Sequence, residues 1–281
     1  MNKKTIAIIL SIFILNKGNV CGLGDDCNLK QKNILTSKAL LVPLALGGAL
    51  ACGYFVHKKI TNNNSDNLNY EKYSYESKSL LNKIEIDERF SDIDISVGDI
   101  SNTVIDYYQN DRMKYEISEE NGILKIRKLV KSRISFFDNT NDPPVPGPLK
   151  IIVPKNKIDF DISGGFGNMS LKNLESSNIK VDCSHGNIRL KSIIADKIDL
   201  NSSFGDINFE NLNAKNIKIE GSYGDVSGSL VGSEKDYSIS FSTKFGNCNL
   251  KNSSSGTKSL SVNSSFGDID ISFDKKPTVV S

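Results

Sequence analysis

The sequence lacks several residue types on which common binding and catalytic sites depend. It has no tryptophan and only two histidines in 281 residues, and its formal net charge is +2. A charge this close to zero leaves no basic footprint for nucleic acid, so we expect no nucleic-acid partner. The five cysteines form neither a CxxC pair nor a Cys/His cluster with the spacing of a metal site. Cys183 and Cys248 are therefore expected to be small buried side chains and not a disulfide.

The sequence contains instead one unit that recurs six times: small residues, an aromatic, Gly, Asn or Asp, and an apolar residue. The glycines are spaced 19, 19, 19, 22 and 21 residues apart, and they are Gly167, Gly186, Gly205, Gly224, Gly246 and Gly267. The residues before them are Phe166, His185, Phe204, Tyr223, Phe245 and Phe266, and the residues after them are Asn168, Asn187, Asp206, Asp225, Asn247 and Asp268. A fixed period near 20 residues predicts a stack of structural repeats.

The apolar residues on both sides of each glycine alternate with polar ones. Ile188 and Leu190 show this pattern after Gly186, and Ile198 and Leu200 show it before Gly205. An alternation of period two with β-branched residues indicates strands, and the glycine with its Asn or Asp indicates a turn between them. If the alternation continues to the residue before each glycine, the aromatic side chains point into the core. We therefore expect them to stack inside the core and not to form an exposed platform for sugars.

These features predict an all-β, stacked-repeat β-solenoid, like a right-handed single-stranded β-helix, preceded by one or two hydrophobic helical segments. Six coils at the usual strand spacing would rise roughly 29 Å. The polar segments Gly232 to Asp236 and Asn252 to Gly256 account for the longer spacings and are expected to be insertions at the corners. Val97 to Ile100, with its Gly-Asp-Ile, is expected to be a degenerate first copy of the corner.

The part of the chain before the repeats divides by composition. Residues 1–20 resemble a secretory signal, and the uncharged run from Ala39 to Val56 predicts a transmembrane helix that would anchor the chain in a membrane. Residues 57–80 read as a polar linker, 81–162 as an N-terminal capping part of the solenoid, and 163–275 as the regular repeats. Basic residues flank both apolar runs and leave the orientation open, and we expect the repeats to lie outside the cytoplasm.

Three kinds of chemistry are conceivable in this pattern, and none is favoured. The column containing Asp206, Asp225 and Asp268 offers carboxylates for Ca²⁺, but Asn fills half of it, which favours a hydrogen-bonded turn ladder. His185 sits in an aromatic column, where a stacked ring is expected and not a general base. Polysaccharide-cleaving solenoids need paired carboxylates or a metal in a groove, and no acidic pair interrupts the repeats. We therefore predict no enzyme, cofactor or metal.

From about Lys83 to Phe273 the chain resembles the bacterial "putative adhesin" domain of unknown function, a β-strand-repeat or toastrack-like family. The resemblance lies in the strand and turn from Ile93 to Ile100, the strand that ends at Val153-Pro154, and the Ser-Phe-Gly-Asp-Ile units. It implies a solenoid-like fold, a bacterial origin and an extracytoplasmic domain on a membrane anchor, and it carries over no catalytic residue. The expected function is an adhesin or protein-interaction scaffold of the cell envelope. The alternatives are a carbohydrate-binding or carbohydrate-active β-helix and an envelope-stress component that binds a membrane sensor.

Overall fold

The computed structural model describes residues 69–131 and 144–274, which form one continuous, curled sheet of sixteen strands. The strands are β1 Glu71–Glu76, β2 Lys83–Glu88, β3 Ile93–Val97, β4 Val104–Gln109, β5 Met113–Glu120, β6 Ile123–Val130, β7 Leu149–Val153, β8 Asp159–Phe166, β9 Met169–Lys172, β10 Glu175–His185, β11 Ile188–Phe204, β12 Ile207–Tyr223, β13 Val226–Val231, β14 Tyr237–Phe245, β15 Lys258–Phe266 and β16 Ile269–Asp274. No α-helix occurs in these two ranges, where a 3₁₀ turn at Glu234–Asp236 is the one helical element. The predicted all-β class is confirmed.

Each coil of the curled sheet has a strand that enters the glycine corner and a strand that leaves it. The entering strands pair in parallel and form a first face: β2, β8, β10, the later parts of β11 and β12, β15 and β14. The leaving strands form a second face: β3, β9, the early parts of β11 and β12, β13 and β16. Pairing is in register, so Ile188 lies beside Met169 on one side and Ile207 on the other. Equivalent residues of successive coils therefore form columns, as the repeat predicted.

The core lies between the two faces and is filled by these columns. Ile188, Ile207 and Ile269 are exposed by only 0 to 2%. A large buried aliphatic side chain contributes about 1.5–3 kcal/mol by leaving water, so a stack of coils orders where a single coil could not. Cys183 is buried, as predicted, whereas Cys248 is only half-buried, and both are free thiols.

A second corner closes each coil where a leaving strand runs on into the next entering strand. Three residues there have left-handed backbone conformations, with φ between 53° and 59°: Asn173, Ser192 and Asn211. Asparagine tolerates this conformation better than most residues, because its short polar side chain can bond the local backbone. The sequence repeat did not identify these three residues.

The order of the coils departs from the order of the chain at the end of the stack. β15 pairs with β12 on one side and with β14 on the other, so the coil around Gly267 lies between those around Gly224 and Gly246. The last two coils are thus stacked in the reverse of their order in the sequence. The two polar segments predicted as corner insertions lengthen the connections on either side of β14. With these longer connections, β14 lies one strand position away from β12, and β15 then occupies the position between them.

The N-terminal part caps the other end of the stack with antiparallel strands. β5 pairs with β6 on the first face, while β1 and β4 pair beyond β7 on the second. Strand β1 lies inside the segment expected to be a polar linker, so the linker prediction for 57–80 was too long. Its alternation of tyrosines, of which Tyr73 and Tyr75 pack against the core, explains the strand.

The first corner copy is also not where the sequence suggested. Gly98 lies at the end of β3, where its N–H donates to the carbonyl of Val153. The true equivalent is Phe90-Ser91-Asp92-Ile93, because Ile93 pairs with Met169 just as Met169 pairs with Ile188. Serine stands where the later copies have glycine.

Several sequence predictions fall outside the described residues. These are the signal-like segment 1–20, the apolar run 39–56 and the first half of the linker, 57–68. Within residues 69–131 and 144–274, no helix is long and apolar enough to cross a membrane.

Candidate functional site: an exposed aromatic stripe beside the glycine corner

The six repeat glycines lie in one row along an edge of the stack, and each needs to be glycine. Their φ angles lie between 134° and 156°, a range that other residues rarely adopt. A Cβ added to Gly205 would lie 2.2 Å from the carbonyl oxygen of Gly186 in the coil before. The corners therefore approach one another at backbone distance, which no larger residue permits.

The Asn and Asp residues that follow the glycines form a hydrogen-bonded ladder. Every side-chain Oδ1 but the last accepts the backbone N–H of its counterpart in the next coil, at 2.6 to 3.1 Å. The spatial order is Asp92, Asn168, Asn187, Asp206, Asp225, Asp268 and Asn247. This arrangement is the turn ladder that the sequence favoured over Ca²⁺ binding. Within the two described ranges, no group of three or more His, Cys, Asp or Glu side chains is placed to hold a metal ion.

The aromatic column forms a stack of rings along the same edge. Neighbouring ring centroids lie 4.7 to 5.0 Å apart at 0 to 17°, and Phe90 extends the stack at 6.3 Å from Phe166. The spatial order is Phe90, Phe166, His185, Phe204, Tyr223, Phe266 and Phe245, and we call this row the aromatic stripe. His185 lies between Phe166 and Phe204, the two neighbours that the repeat predicted for it.

The stripe faces solvent, which contradicts the expectation that it packs in the core. The Phe and Tyr side chains from Phe166 to Phe245 are 41 to 64% exposed. The alternation of inward and outward side chains ends at the small inward residue two positions before the aromatic. The next two residues, the second of which is the aromatic, both point outward. Ser202 is buried and donates its hydroxyl to the carbonyl of Gly205, 3.1 Å away, and Cys183 contacts Gly186 in the same way. The small residue fills the inside of the corner, so the ring is left outside.

The stacking decides which part of each ring a ligand could reach. The flat faces of internal rings are covered by their neighbours, and only the ring edges meet solvent. Sugar rings bind aromatic side chains through the flat faces, so the internal rings of the stripe offer them little. The row ends at Phe90 and at Phe245. Phe90 is half-buried, whereas Phe245 is the most exposed ring, at 64%.

A buried polar cluster replaces glycine at the first corner. One carboxylate oxygen of Glu88 accepts the backbone N–H groups of Arg89, Phe90 and Ser91 at 2.9 to 3.0 Å. Its other oxygen accepts the hydroxyl of Tyr115 and lies 3.8 Å from the Lys128 ammonium. Burial lowers the pKa of Lys128, with Glu88 acting in the opposite direction, and burial beside Glu88 raises the pKa of Tyr115. The carboxylate satisfies the corner's donors, which identifies the cluster as structural.

The first corner could not be recognised by its glycine, because Ser91 stands in that position. The signal that could have identified it is the spacing of aromatic, Asp and Ile in Phe90-Ser91-Asp92-Ile93, which matches Phe204 to Ile207. With Phe90 and Asp92 included, both the stripe and the Asn/Asp ladder run through seven coils.

The outward side of the second face holds a shallow cavity of about 570 Å³. Among its lining residues are Arg189 and four charged side chains that form two ion pairs, Lys172 with Asp94 at 3.4 Å and Lys191 with Glu210 at 2.8 Å. The third carboxylate of the lining, Asp92, accepts the backbone N–H of Asn168 at 2.7 Å. The cavity does not present two free carboxyl groups of the kind that glycoside hydrolysis requires.

The family comparison matches residues 81–280 to the toastrack family DUF4097. Among solved structures, a "putative cell adhesion protein" from Clostridium sporogenes is 11% identical, covering 73% of this chain and all of that one, with a TM-score of 0.45. A "putative adhesin" from Bacteroides fragilis is 14% identical over 72% of this chain and 97% of that one, with a TM-score of 0.36. A "putative adhesin" from Parabacteroides merdae is 14% identical over 73% of this chain and 96% of that one, with a TM-score of 0.24. No curated protein matches the sequence. The family match covers most of the chain and confirms the resemblance seen in its corner motifs: this protein belongs to the toastrack DUF4097 family.

Proposed function

We propose that the solenoid is a non-catalytic interaction module, an adhesin or a scaffold for a protein partner, and that the aromatic stripe is its contact surface. The observation that carries this proposal is the row of half-exposed rings, continuous over seven coils. At one strand spacing per coil the row is about 29 Å long. A rigid stack of this length presents many weak contacts in a fixed geometry.

The size of the stripe supports this role. Aromatic side chains have roughly 150–250 Å² of surface each, so five Phe and Tyr rings at about half exposure present on the order of 400–600 Å². Contiguous apolar patches of this size on soluble proteins are often interaction sites. A standard protein interface buries about 800 Å² on each side, so the stripe would form its centre and the flanking serines its rim.

A protein partner fits the stripe better than a glycan does. Ring edges and small polar flanks suit the side chains of a protein surface, whereas the flat faces that sugars need are covered on every internal ring of the stripe. The paired charges of the second-face cavity likewise give no support to the carbohydrate-cleaving alternative.

The proposed location follows from the sequence before the solenoid. The run from Ala39 to Val56 would anchor the chain in a membrane, and the solenoid would lie outside the cytoplasm, where an adhesive surface can meet its partner. Protease treatment of intact cells tests this location. Cleavage of the solenoid without cell lysis supports it, and protection until lysis contradicts it.

Replacing the stripe tests the function. The triple variant Phe204→Ser, Tyr223→Ser, Phe266→Ser removes three central rings, and Ile194→Ser with Leu129→Ser is the control, because both are exposed apolar residues outside the stripe. Cells displaying the full-length chain are tested for attachment to surfaces coated with matrix proteins, and the same variants are applied to a glycan array.

We expect the stripe variant to lose attachment by more than tenfold while the control pair retains it. Equal attachment by both variants would refute the stripe as the contact surface. Tight glycan binding that is lost on Phe245→Ala alone would instead favour the carbohydrate-binding alternative.

A further inference from the structure

The stack ends at the coil around Gly246, and the repeated hydrogen bonds end with it. Strand β14 pairs with β15, and within the described residues no further parallel strand follows on its other side. The backbone hydrogen bonds, the Asn/Asp ladder and the ring stacking that join one corner to the next therefore end at Phe245 to Cys248. The side of this corner that faces away from β15 has no following coil among the described residues. The internal corners show what that side is built to bind.

Two backbone N–H groups point toward the missing position. In five coils the glycine N–H donates to the carbonyl of the next aromatic residue at 2.8 to 3.0 Å, as Gly205 does to Tyr223. In the same coils the residue two after glycine donates to the next Asn or Asp carbonyl at 2.8 to 2.9 Å, as Ile207 does to Asp225. Gly246 and Cys248 occupy these two positions in the last coil, where the described chain supplies no next carbonyl.

The last corner also keeps an acceptor and a ring face. Asn247 stands at the end of the Asn/Asp ladder, in which every earlier side-chain Oδ1 accepts an N–H from the following coil. Phe245 contacts Phe266 on one face at 4.9 Å and is the most exposed ring of the stripe. Two donors, one acceptor and one ring face thus lie together on a single corner.

The chain covers the rest of this edge but leaves the corner open. Ile239 exchanges backbone hydrogen bonds with Ser253 at 2.7 and 3.0 Å, and Phe241 donates to the side chain of Asn252 at 3.2 Å. Exposed strand edges invite unwanted pairing, and a covering loop is one way in which proteins prevent it. Here the cover ends before Phe245, so the free edge is confined to the corner.

We propose that this terminal corner binds an extended segment of another protein that carries the tripeptide aromatic–Gly–Asn/Asp. The aromatic ring would stack on Phe245, and its carbonyl would accept the N–H of Gly246. The third residue would donate its N–H to Asn247 and accept from Cys248. The middle residue must be glycine, because in the internal corners a Cβ there would lie 2.1 to 2.3 Å from the preceding glycine carbonyl.

The occupant comes from a different protein. All six aromatic–Gly–Asn/Asp tripeptides of this sequence, counting His185 as aromatic, lie inside the stack, and residues 1–68, 132–143 and 275–281 contain none. A second folded copy has its own tripeptides engaged in the same way. A symmetric pair of parallel β14 strands would also turn one sheet over, which places the rings on opposite sides. Strand addition to a sheet edge is an established mode of peptide recognition.

A peptide with the sequence of residues 262–271, labelled with fluorescein, tests this site by fluorescence anisotropy against the full-length chain. We expect saturable binding that is weakened about three- to tenfold when the peptide's Phe is replaced by Ala, since a ring pair contributes that much. Replacing the peptide's Gly by Ala should abolish binding. On the protein, Phe245→Ala and Asn247→Ala should weaken binding, while the internal matches Phe166→Ala and Asn168→Ala should not.

The proposal does not rest on the function of the stripe, and the outcomes separate the two. The triple stripe variant keeps Phe245 and Asn247, so loss of attachment with retained peptide binding leaves this inference standing. Absence of saturable binding, or equal binding of the Ala-for-Gly peptide, would overturn it. It also fails if the peptide binds only after deletion of 275–281, or only by dissociating a dimer, because the occupant would then be this chain itself.

Discussion

Replacing a glycine by alanine should reduce stability much more at a repeat corner than at a glycine within a strand. Gly205 has φ +134°, and an added Cβ would meet the Gly186 carbonyl at 2.2 Å for oxygen and 2.6 Å for carbon. Gly221 lies in β12, the strand that follows the Gly205 corner, and its backbone is not left-handed. A Cβ added to Gly221 would lie 3.7 Å from its nearest neighbouring atom, on Val226. Gly205→Ala is therefore the test and Gly221→Ala its matched control.

The cost of Gly205→Ala has two parts. A non-glycine residue in a sparsely populated backbone region costs about 1–3 kcal/mol. Relieving the contact also requires the two corners to move apart by about 1 Å, since ordinary Cβ contacts begin at 3.4 Å. That movement weakens the bonds from Gly186 to Phe204 and from Asp206 to Asn187, both 2.8 Å and each worth about 0.5–1.5 kcal/mol. Together we expect a loss of about 2–6 kcal/mol in the free energy of unfolding.

Gly221→Ala should lie between no change and a gain of about 0.4–1 kcal/mol, because alanine restricts the unfolded chain without a clash in the folded one. Urea unfolding of the full-length chain, followed by circular dichroism, measures both. In thermal unfolding Gly205→Ala should lower the melting temperature by more than about 4 °C, given roughly 2–4 °C per kcal/mol for a domain of this size. Equal losses for the two variants would refute the conclusion that the corners pack at backbone distance.

Three further predictions concern the ladder, the stripe and the N-terminal cap. Asp206→Ala removes the acceptor of the Asp225 N–H at 3.0 Å and should cost about 0.5–1.5 kcal/mol, whereas Asp206→Asn keeps it; equal urea midpoints would contradict the ladder. Phe204 stacks on two rings and Phe245 on one. Phe204→Ala should therefore lower the free energy of unfolding by about 1–3 kcal/mol and Phe245→Ala by about 0.5–1.5 kcal/mol, as measured with urea. The reverse order would argue against stacking. Burial acts to raise the pKa of Glu119, but hydrogen bonds from Ser79, Lys78 and Tyr75 prevail and hold it below its ordinary 4.5. Its contribution is therefore present above pH 4.5 and lost as pH falls through the lower folded pKa, and Glu119→Gln should flatten that part of a stability–pH curve measured by thermal unfolding.

Much of the fold could be predicted because the repeat is a local pattern with a clear physical cause. Gly205 and its five counterparts follow from the need for a left-handed backbone at each bend, and Ile188 and Ile207 from burial on one side of a strand. These constraints act within a few residues and leave their mark directly in the sequence. The family resemblance rested on the same residues and was confirmed.

The candidate site was harder to predict, because its orientation depends on one break in the alternation. The period-two alternation that begins at Ile198 would place Phe204 inside the core. Instead, the buried Ser202 bonds to the Gly205 carbonyl and ends the alternation, so Phe204 points outward. The residues of the stripe were thus found from the sequence, while the side that they face was not. The first corner was missed for a related reason, since Glu88 and Ser91 replace glycine through a contact with the distant Tyr115.

The sequence by itself determined the coil: two strands, a glycine bend and a column of apolar residues, all set by backbone sterics and burial within about twenty residues. Only the tertiary structure decided the order of the last two coils. The corners around Gly224, Gly246 and Gly267 are equivalent in local chemistry, so any of them could stack on any other. The choice is made by β15 entering between β12 and β14, a pairing between segments far apart in the chain. That choice leaves Phe245 and Asn247, and not Phe266 and Asp268, at the open end of the stack.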